Sequence, residues 1–236
     1  MTDAVSIENL VFRWQPHLPA CLDLPGFRLA AGESLFLHGP SGSGKSTLLN
    51  LIGGVMVPER GSIRVLGCEF TQAQARTRDR KRADHIGFLF QQFNLVPYLS
   101  VLENVLLPCR FSARRAAQAL RRSPSLAAEA ARLLARLDIA PDLFARRVTD
   151  LSIGQQQRAA AARALIGAPE IIIADEPTSS LDSARQEAFL ELLLEQCAQT
   201  GSSLLFVSHD QRLAAPFSRR LALHEINHVP TMTAAA

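Results

Sequence analysis

The chain has 236 residues, 47% hydrophobic and 20% charged, with a net charge of +3. That is ample apolar chain for one large domain or two small lobes, and too mild a basic balance to call for nucleic acid as a partner. Cys21, Cys68, Cys109 and Cys197 stand far apart with no CxxC pair. Their spacing argues against a metal site or a disulfide framework and for reduced thiols. MTDAVSIENL lacks the basic-then-apolar order of a signal peptide, and runs such as EIIIAD are far short of a membrane span.

In chain order, VSIENLVFRW alternates as an early strand does, and ESLFLHG (33–39) reads as a short buried strand. GPSGSGKST (39–47) follows it and opens a helix, KSTLLNLIGG, that stops at a glycine pair. SIRVLG is a further strand. RTRDRKR (76–82) reads as a polar, basic loop between strands, either simply solvated or drawn to anionic lipid or a partner. HIGFLF is the next strand. SVLENVLL has the Ser100/Glu103 spacing of a capping box. SPSLAAEAARLLARLDI carries Pro124 near its start and apolar residues at helical intervals. In LSIGQQQR (151–158), Ser152 reads as the N-cap of an alanine-rich helix. EIIIAD, SSLLFVSH and RLALHE are strands, and SARQEAFLELLLEQCAQTG is a helix stopped by Gly201.

Strands alternating with helices argue for an α/β domain around a largely parallel sheet. Residues 99–158 hold helices and no good strand, so they read as a helical lobe inserted in that domain.

The chemistry concentrates at three places. GPSGSGKST matches G-x-x-x-x-G-K-[ST] in its required context of strand before and helix after. Its glycines let successive backbone N–H groups fold around phosphate oxygens. Lys45 can reach the terminal phosphates, and the Ser46 hydroxyl can ligate Mg²⁺. EIIIADEP (170–177) is a buried strand ending in two carboxylates: Asp175 suits a Mg²⁺ held through water, and Glu176 suits polarisation of a water. His209 also follows a buried strand. A lone histidine is commonly a satisfied structural residue, but ligands gather at the C-terminal ends of parallel strands. Gln91 occupies a comparable strand end.

These pieces, in this order, resemble the ATP-binding cassette ATPases over most of the chain. GPSGSGKST resembles the family's phosphate loop, Gln91 its Q-loop, LSIGQQQR its signature, IIIADE its magnesium strand, SSLD its D-loop and His209 its switch histidine. Trp14 stands where the family places an aromatic that stacks on adenine, against the alternative of a core residue.

The resemblance implies a fold: a P-loop NTPase core with a largely parallel sheet, an N-terminal antiparallel β subdomain and an inserted α-helical subdomain. Residues 1–230 would form one nucleotide-binding domain, with core and β subdomain at about 1–98 and 159–228, the helical subdomain at about 99–158, and a tail at 231–236.

It also implies a function, an ATPase coupled to transport as in translocases, with ATP and Mg²⁺ as cofactors. Two such domains pair head to tail, a homodimer being the expectation, around two ATP. Trp14, Gly39, Ser41, Gly42, Gly44, Lys45, Ser46 and Thr47 would bind nucleotide from one subunit, and Ser152, Gly154 and Gln155 from the other. Ser46, Gln91 and Asp175 would serve the metal, and Glu176, His209 and Gln91 the chemistry. Gln91 would relay closure to a partner in the helical lobe's groove, and Asp182 would lie at the dimer seam.

FQQFNLVPYLSVLENVLLP resembles the subgroup serving lipoprotein release, macrolide-type export and a related cell-division complex. That implies transmembrane permease partners, a place on the cytoplasmic face of the membrane, and an output of export or mechanical force. An ATPase of a non-transport membrane complex, or a soluble cassette ATPase, are the alternatives.

Two departures from the family pattern stand out. Ile153 replaces the first glycine of L-S-G-G-Q, which predicts a negative φ there and a side chain turned from the nucleotide face. LHEINHVP stands where the family commonly has a strand–turn–strand, which predicts a shortened C-terminal edge.

Overall fold

The computed structural model describes residues 3–229; the tail expected at 231–236 lies outside them. The chain begins with β1 (Asp3–Phe12), β2 (Leu22–Ala30) and β3 (Ser34–His38), then α1 (Lys45–Ile52), β4 (Arg60–Val65) and β5 (Cys68–Glu69). There follow α2 (Ala75–His85), β6 (Ile86–Leu89), α3 (Val101–Phe111), α4 (Ala113–Arg122), α5 (Leu126–Arg136) and α6 (Ile153–Leu165). The chain then forms β7 (Ile171–Asp175), α7 (Ser183–Thr200), β8 (Ser203–Val207), β9 (Arg219–Ala222) and α8 (Leu223–Ile226).

Two sheets result. One is antiparallel, in the order β2-β1-β4-β5; the other runs β6-β7-β8-β3-β9, with every pairing parallel. The parallel strands are apolar on both faces because both are covered. Leu35, Leu37, Ile171, Ile173, Leu205 and Val207 face one core, shared with the antiparallel sheet and α1. Their neighbours Phe36, Ile172, Ala174, Leu204 and Phe206 face the other, shared with α3, α5, α6 and α7. The period of two splits each strand between the cores. Phe36, Phe206 and Phe217 stack in the second core with centroids 5.2–6.0 Å apart.

β2 was not legible as a strand because Pro25 and Gly26 interrupt it. It survives as an edge strand, where a missing N–H costs no ladder bond. RTRDRKR is a correction: it lies in a helix, α2, not a loop. No residue of α2 is buried, so periodicity gave no signal. The helix is fastened by its arginines, Arg82 donating to the Gly53 carbonyl at 3.0 Å and Arg78 to that of Gly54 at 3.2 Å. Asp79 and Arg82 pair along it.

RLALHE is corrected in part: the strand ends at Ala222 and Leu223 opens the short helix α8. Asn227 beyond it accepts from the Asp23 N–H at 2.8 Å, tying the segment to β2. The capping box of Ser100 and Glu103 is formed, and Gly201 ends α7 at φ 69°. The helix after Pro124 begins beyond it, at Leu126, with Ser125 as its cap. α6 runs continuously through residue 158, where the helical lobe was expected to end.

Candidate functional site

The strand order sets the site. In β6-β7-β8-β3 the C-terminal ends lie side by side, so Gln91, the pair Asp175 and Glu176, His209, and the glycine-rich loop form one row. Four segments distant in sequence meet along that edge, the usual ligand edge of a parallel sheet.

At the phosphate loop, Gly42 and Gly44 adopt φ of 78° and 101°, a region that any side chain would strain. At Gly44 a Cβ would also meet the Leu22 side chain at 2.9 Å. Gly44 then caps α1, presenting the first N–H groups of that helix to the loop. Lys45 is buried, its Nζ donating to the carbonyls of Gly39 at 2.8 Å and Pro40 at 3.0 Å. A cavity of about 240 Å³ opens here, lined by Trp14, Cys21, Gly42, Gly44, Lys45, Ser46 and Thr47. Ser41 lines the adjoining cavity instead, with His224 and Asn227.

Trp14 is 60% exposed and meets Phe12 edge-on at 5.4 Å. It is thus no core residue but an aromatic wall beside the loop. Cys21 was not singled out by its sequence. It reaches the cavity because β2 runs past the loop, and its Sγ lies 3.8 Å from Thr47 Oγ1.

Asp175 ends β7 with its Oδ1 buried and without a hydrogen-bond partner. Burial pushes its carboxyl above the usual aspartate range and Glu176 adds to that, while the Ser46 hydroxyl and Lys45 oppose it. An orphaned carboxylate oxygen beside a hydroxyl is a donor set suited to a hard cation. Glu176 sits in the left-handed region at φ 48°, held by its N–H donating to the Val207 carbonyl at 2.9 Å. Its Oε2 lies 2.6 Å from His209 Nδ1. His209 is exposed. Gln91 is exposed, two residues beyond β6.

The residues of LSIGQQQR line no part of the phosphate-loop cavity. They form the start of α6 and the link to the carboxylates. Ser152 and Gln155 close a capping box, each side chain accepting from the other's backbone N–H. Gln156 donates to the Leu151 carbonyl at 3.0 Å, and buried Gln157 to that of Pro177 at 2.8 Å. The three glutamines thus cap, brace and anchor, the last next to Glu176. Ile153 is the first residue of α6, 55% exposed, and its φ is not positive. At Gly154 a Cβ would meet the Leu181 side chain at 4.0 Å, an ordinary contact. Asp182 caps α7, accepting from the Arg185 N–H at 3.0 Å.

A groove of about 640 Å³ lies between α2, β6 and α3, with Phe88, Phe90 and Phe111 in its walls and Arg76, Arg80 and Arg163 among its charges. Among the described residues, no helix is long and apolar enough to cross a membrane.

Comparison with known proteins agrees with this geometry. The family model described as ABC transporter matches residues 22–179. The lipoprotein-releasing system ATP-binding protein LolD of Anaeromyxobacter dehalogenans is 45% identical over 190 residues, 79% of this chain and 75% of that protein. The macrolide export ATP-binding/permease protein MacB of Burkholderia pseudomallei is 40% identical over 204 residues, 86% of this chain. The match spans only 30% of MacB's length. Among solved structures, a dimeric post-hydrolysis state of the ATP-binding cassette MJ0796 bound to ADP and Pi superposes with a TM-score of 0.80 at 33% identity. That alignment covers 92% of this chain and 93% of the other. The chain therefore belongs to the ABC transporter family as an ATP-binding cassette, with relatives among the lipoprotein-release and macrolide-export proteins.

Proposed function

We propose that this chain is the ATP-hydrolysing subunit of a membrane transport complex of the export or lipoprotein-release type. The observation that carries the reading is the row of Lys45, His209, Glu176 and Asp175 along one sheet edge, with Trp14 beside the phosphate loop. Trp14 stacks on the adenine. The loop from Gly39 to Thr47, Ser41 included, cradles the phosphates, with Lys45 exchanging its two loop carbonyls for phosphate oxygens. Ser46, Asp175 and Gln91 would hold Mg²⁺, Asp175 through water, a role that the orphaned Asp175 oxygen fits. When bound, the ion offsets phosphate charge.

Glu176 polarises the attacking water. A carboxylate accepts only, so the short contact places the proton on His209 Nδ1, and His209 both holds Glu176 in its strained conformation and faces the phosphate. Ser152, Gly154 and Gln155 do not reach this chain's own cavity, which accords with their closing the site of a second copy, with Asp182 at the seam. The helical subdomain, about 99–158, carries that capped helix end. Gln91 relays closure to a transmembrane permease seated in the arginine-bearing groove. The chain would then lie on the cytoplasmic face of the membrane, held there by the permease.

The test is purification of Glu176→Gln protein from membranes in the presence of Mg-ATP. A nucleotide-dependent dimer carrying an integral membrane protein is expected. A monomer at every ATP concentration, with no membrane protein attached, would overturn the reading.

A further inference from the structure

Two residues after Gln91 the backbone does something costly. Phe93 and Asn94 are both left-handed, at φ 59° and 48°, consecutive in a region that non-glycine residues avoid. Phe93 is buried, and its N–H donates to the Phe90 carbonyl at 3.0 Å. Such a turn persists only if something outside it holds it. The holder is Arg163 on α6: its guanidinium donates one nitrogen to the Asn94 carbonyl at 2.6 Å and the other to the Phe93 carbonyl.

Both bonds of Arg163 go to backbone carbonyls. Among the described residues no carboxylate forms a salt bridge with Arg163, and burial holds its pKa below the usual range. A partly buried cation satisfied by two carbonyls of one strained turn is spent on the shape of that turn. Arg115, also on carbonyls, differs: it donates to Ile166 at 2.7 Å and to Ala164, the end of α6 itself. Arg163 instead ties α6, which the Ser152 cap precedes, to the loop that carries Gln91. Arg163 and Asn94 both line the groove between α2 and α3.

We propose that Arg163 is a positioning residue, a two-pronged latch that holds the Gln91 loop in its working conformation and makes it move with the helix begun by Ser152. The forked guanidinium matters, since an ammonium offers a point charge rather than two coplanar donors. Breaking the latch leaves the phosphate loop and Trp14 untouched, so nucleotide binding stays while turnover falls. This inference rests on the proposed ATP hydrolysis.

The experiment compares wild type with Arg163→Met, Arg163→Lys and Arg121→Met, the last removing an exposed charge on α4 outside the groove. Steady-state ATPase rates and nucleotide affinity are measured, together with amide hydrogen exchange over residues 91–95. Arg163→Met should lower kcat about tenfold or more with affinity within about twofold, Arg163→Lys should recover part of the loss, and Arg121→Met should match wild type. Exchange over 91–95 should quicken in Arg163→Met alone, with the rest of the chain unchanged. Unaltered exchange there, or equal losses in Arg163→Met and Arg121→Met, would overturn the latch. If wild type itself does not hydrolyse ATP, the functional reading fails, and the exchange measurement still decides the latch.

Discussion

Nδ1 of His209 lies 2.6 Å from Oε2 of Glu176, joining the ends of two neighbouring strands, β8 and β7, across 33 residues of sequence. Through this contact each side chain fixes the other, so the two residues should work as one unit. Each single change, Glu176→Gln or His209→Ala, should lower kcat by roughly 10²-fold or more, the range for a lost general base, with ATP binding retained. The double variant should be hardly slower than Glu176→Gln alone, since removing either member breaks the same unit. Phosphate release by the four proteins measures this, and losses that simply multiply would show the two acting separately.

Trp14 is the only tryptophan, exposed beside the phosphate loop, so its fluorescence should change on adding ATP with no other indole contributing. Trp14→Ala should weaken ATP binding by about 1–3 kcal/mol, the range for a lost base–aromatic stack, and Trp14→Phe much less. Titration with inorganic triphosphate, which has no base, is the control: Trp14→Ala should bind it as wild type does.

Asp175 weakens the fold when it is ionised. Its folded-state pKa is raised, chiefly by burial, so the folded protein binds that proton more tightly than the unfolded chain. The carboxylate therefore weakens the fold as pH climbs from about 3.8, the unfolded value, through the raised one. Asp175→Asn should raise Tm at pH 7 by roughly 2–4 °C, what about 1 kcal/mol yields in a chain this size. The gain should shrink as pH falls through the raised folded value and vanish below about 3.8, where both states are protonated. The same variant should lose metal-dependent hydrolysis. Melting curves across that pH range test it, and a gain that grows on acidification would contradict it.

Ile153 opens α6 with its side chain 55% exposed. As an exposed residue outside the Ser152–Gln155 cap, its change to Gly, which restores the family's usual signature, should alter kcat by no more than about twofold. A large gain in turnover or ATP affinity would mean that the isoleucine obstructs the nucleotide.

Much was legible in the sequence because it depends on neighbours along the chain. The phosphate loop, the Ser100 and Ser152 caps, the Gly201 stop and the apolar runs of β7 and β8 are each decided by a few adjacent residues. Their hydrogen-bond and φ requirements are local. Where local signals were absent or misleading, reading along the chain failed. α2 has no apolar face and is held by Arg78 and Arg82 to carbonyls of Gly53 and Gly54. β2 carries Pro25 and Gly26 and is a strand only because it lies at a sheet edge. Gln157 beneath Pro177, Cys21 in the cavity at the glycine-rich loop and Arg163 on the Gln91 loop were equally invisible.

The sequence by itself determined which side chains the chain owns and which local shapes they favour. Only the tertiary structure decided which meet, because the order β6-β7-β8-β3 comes from covering a two-faced apolar sheet on both sides. That burial brings four distant strand ends into one row.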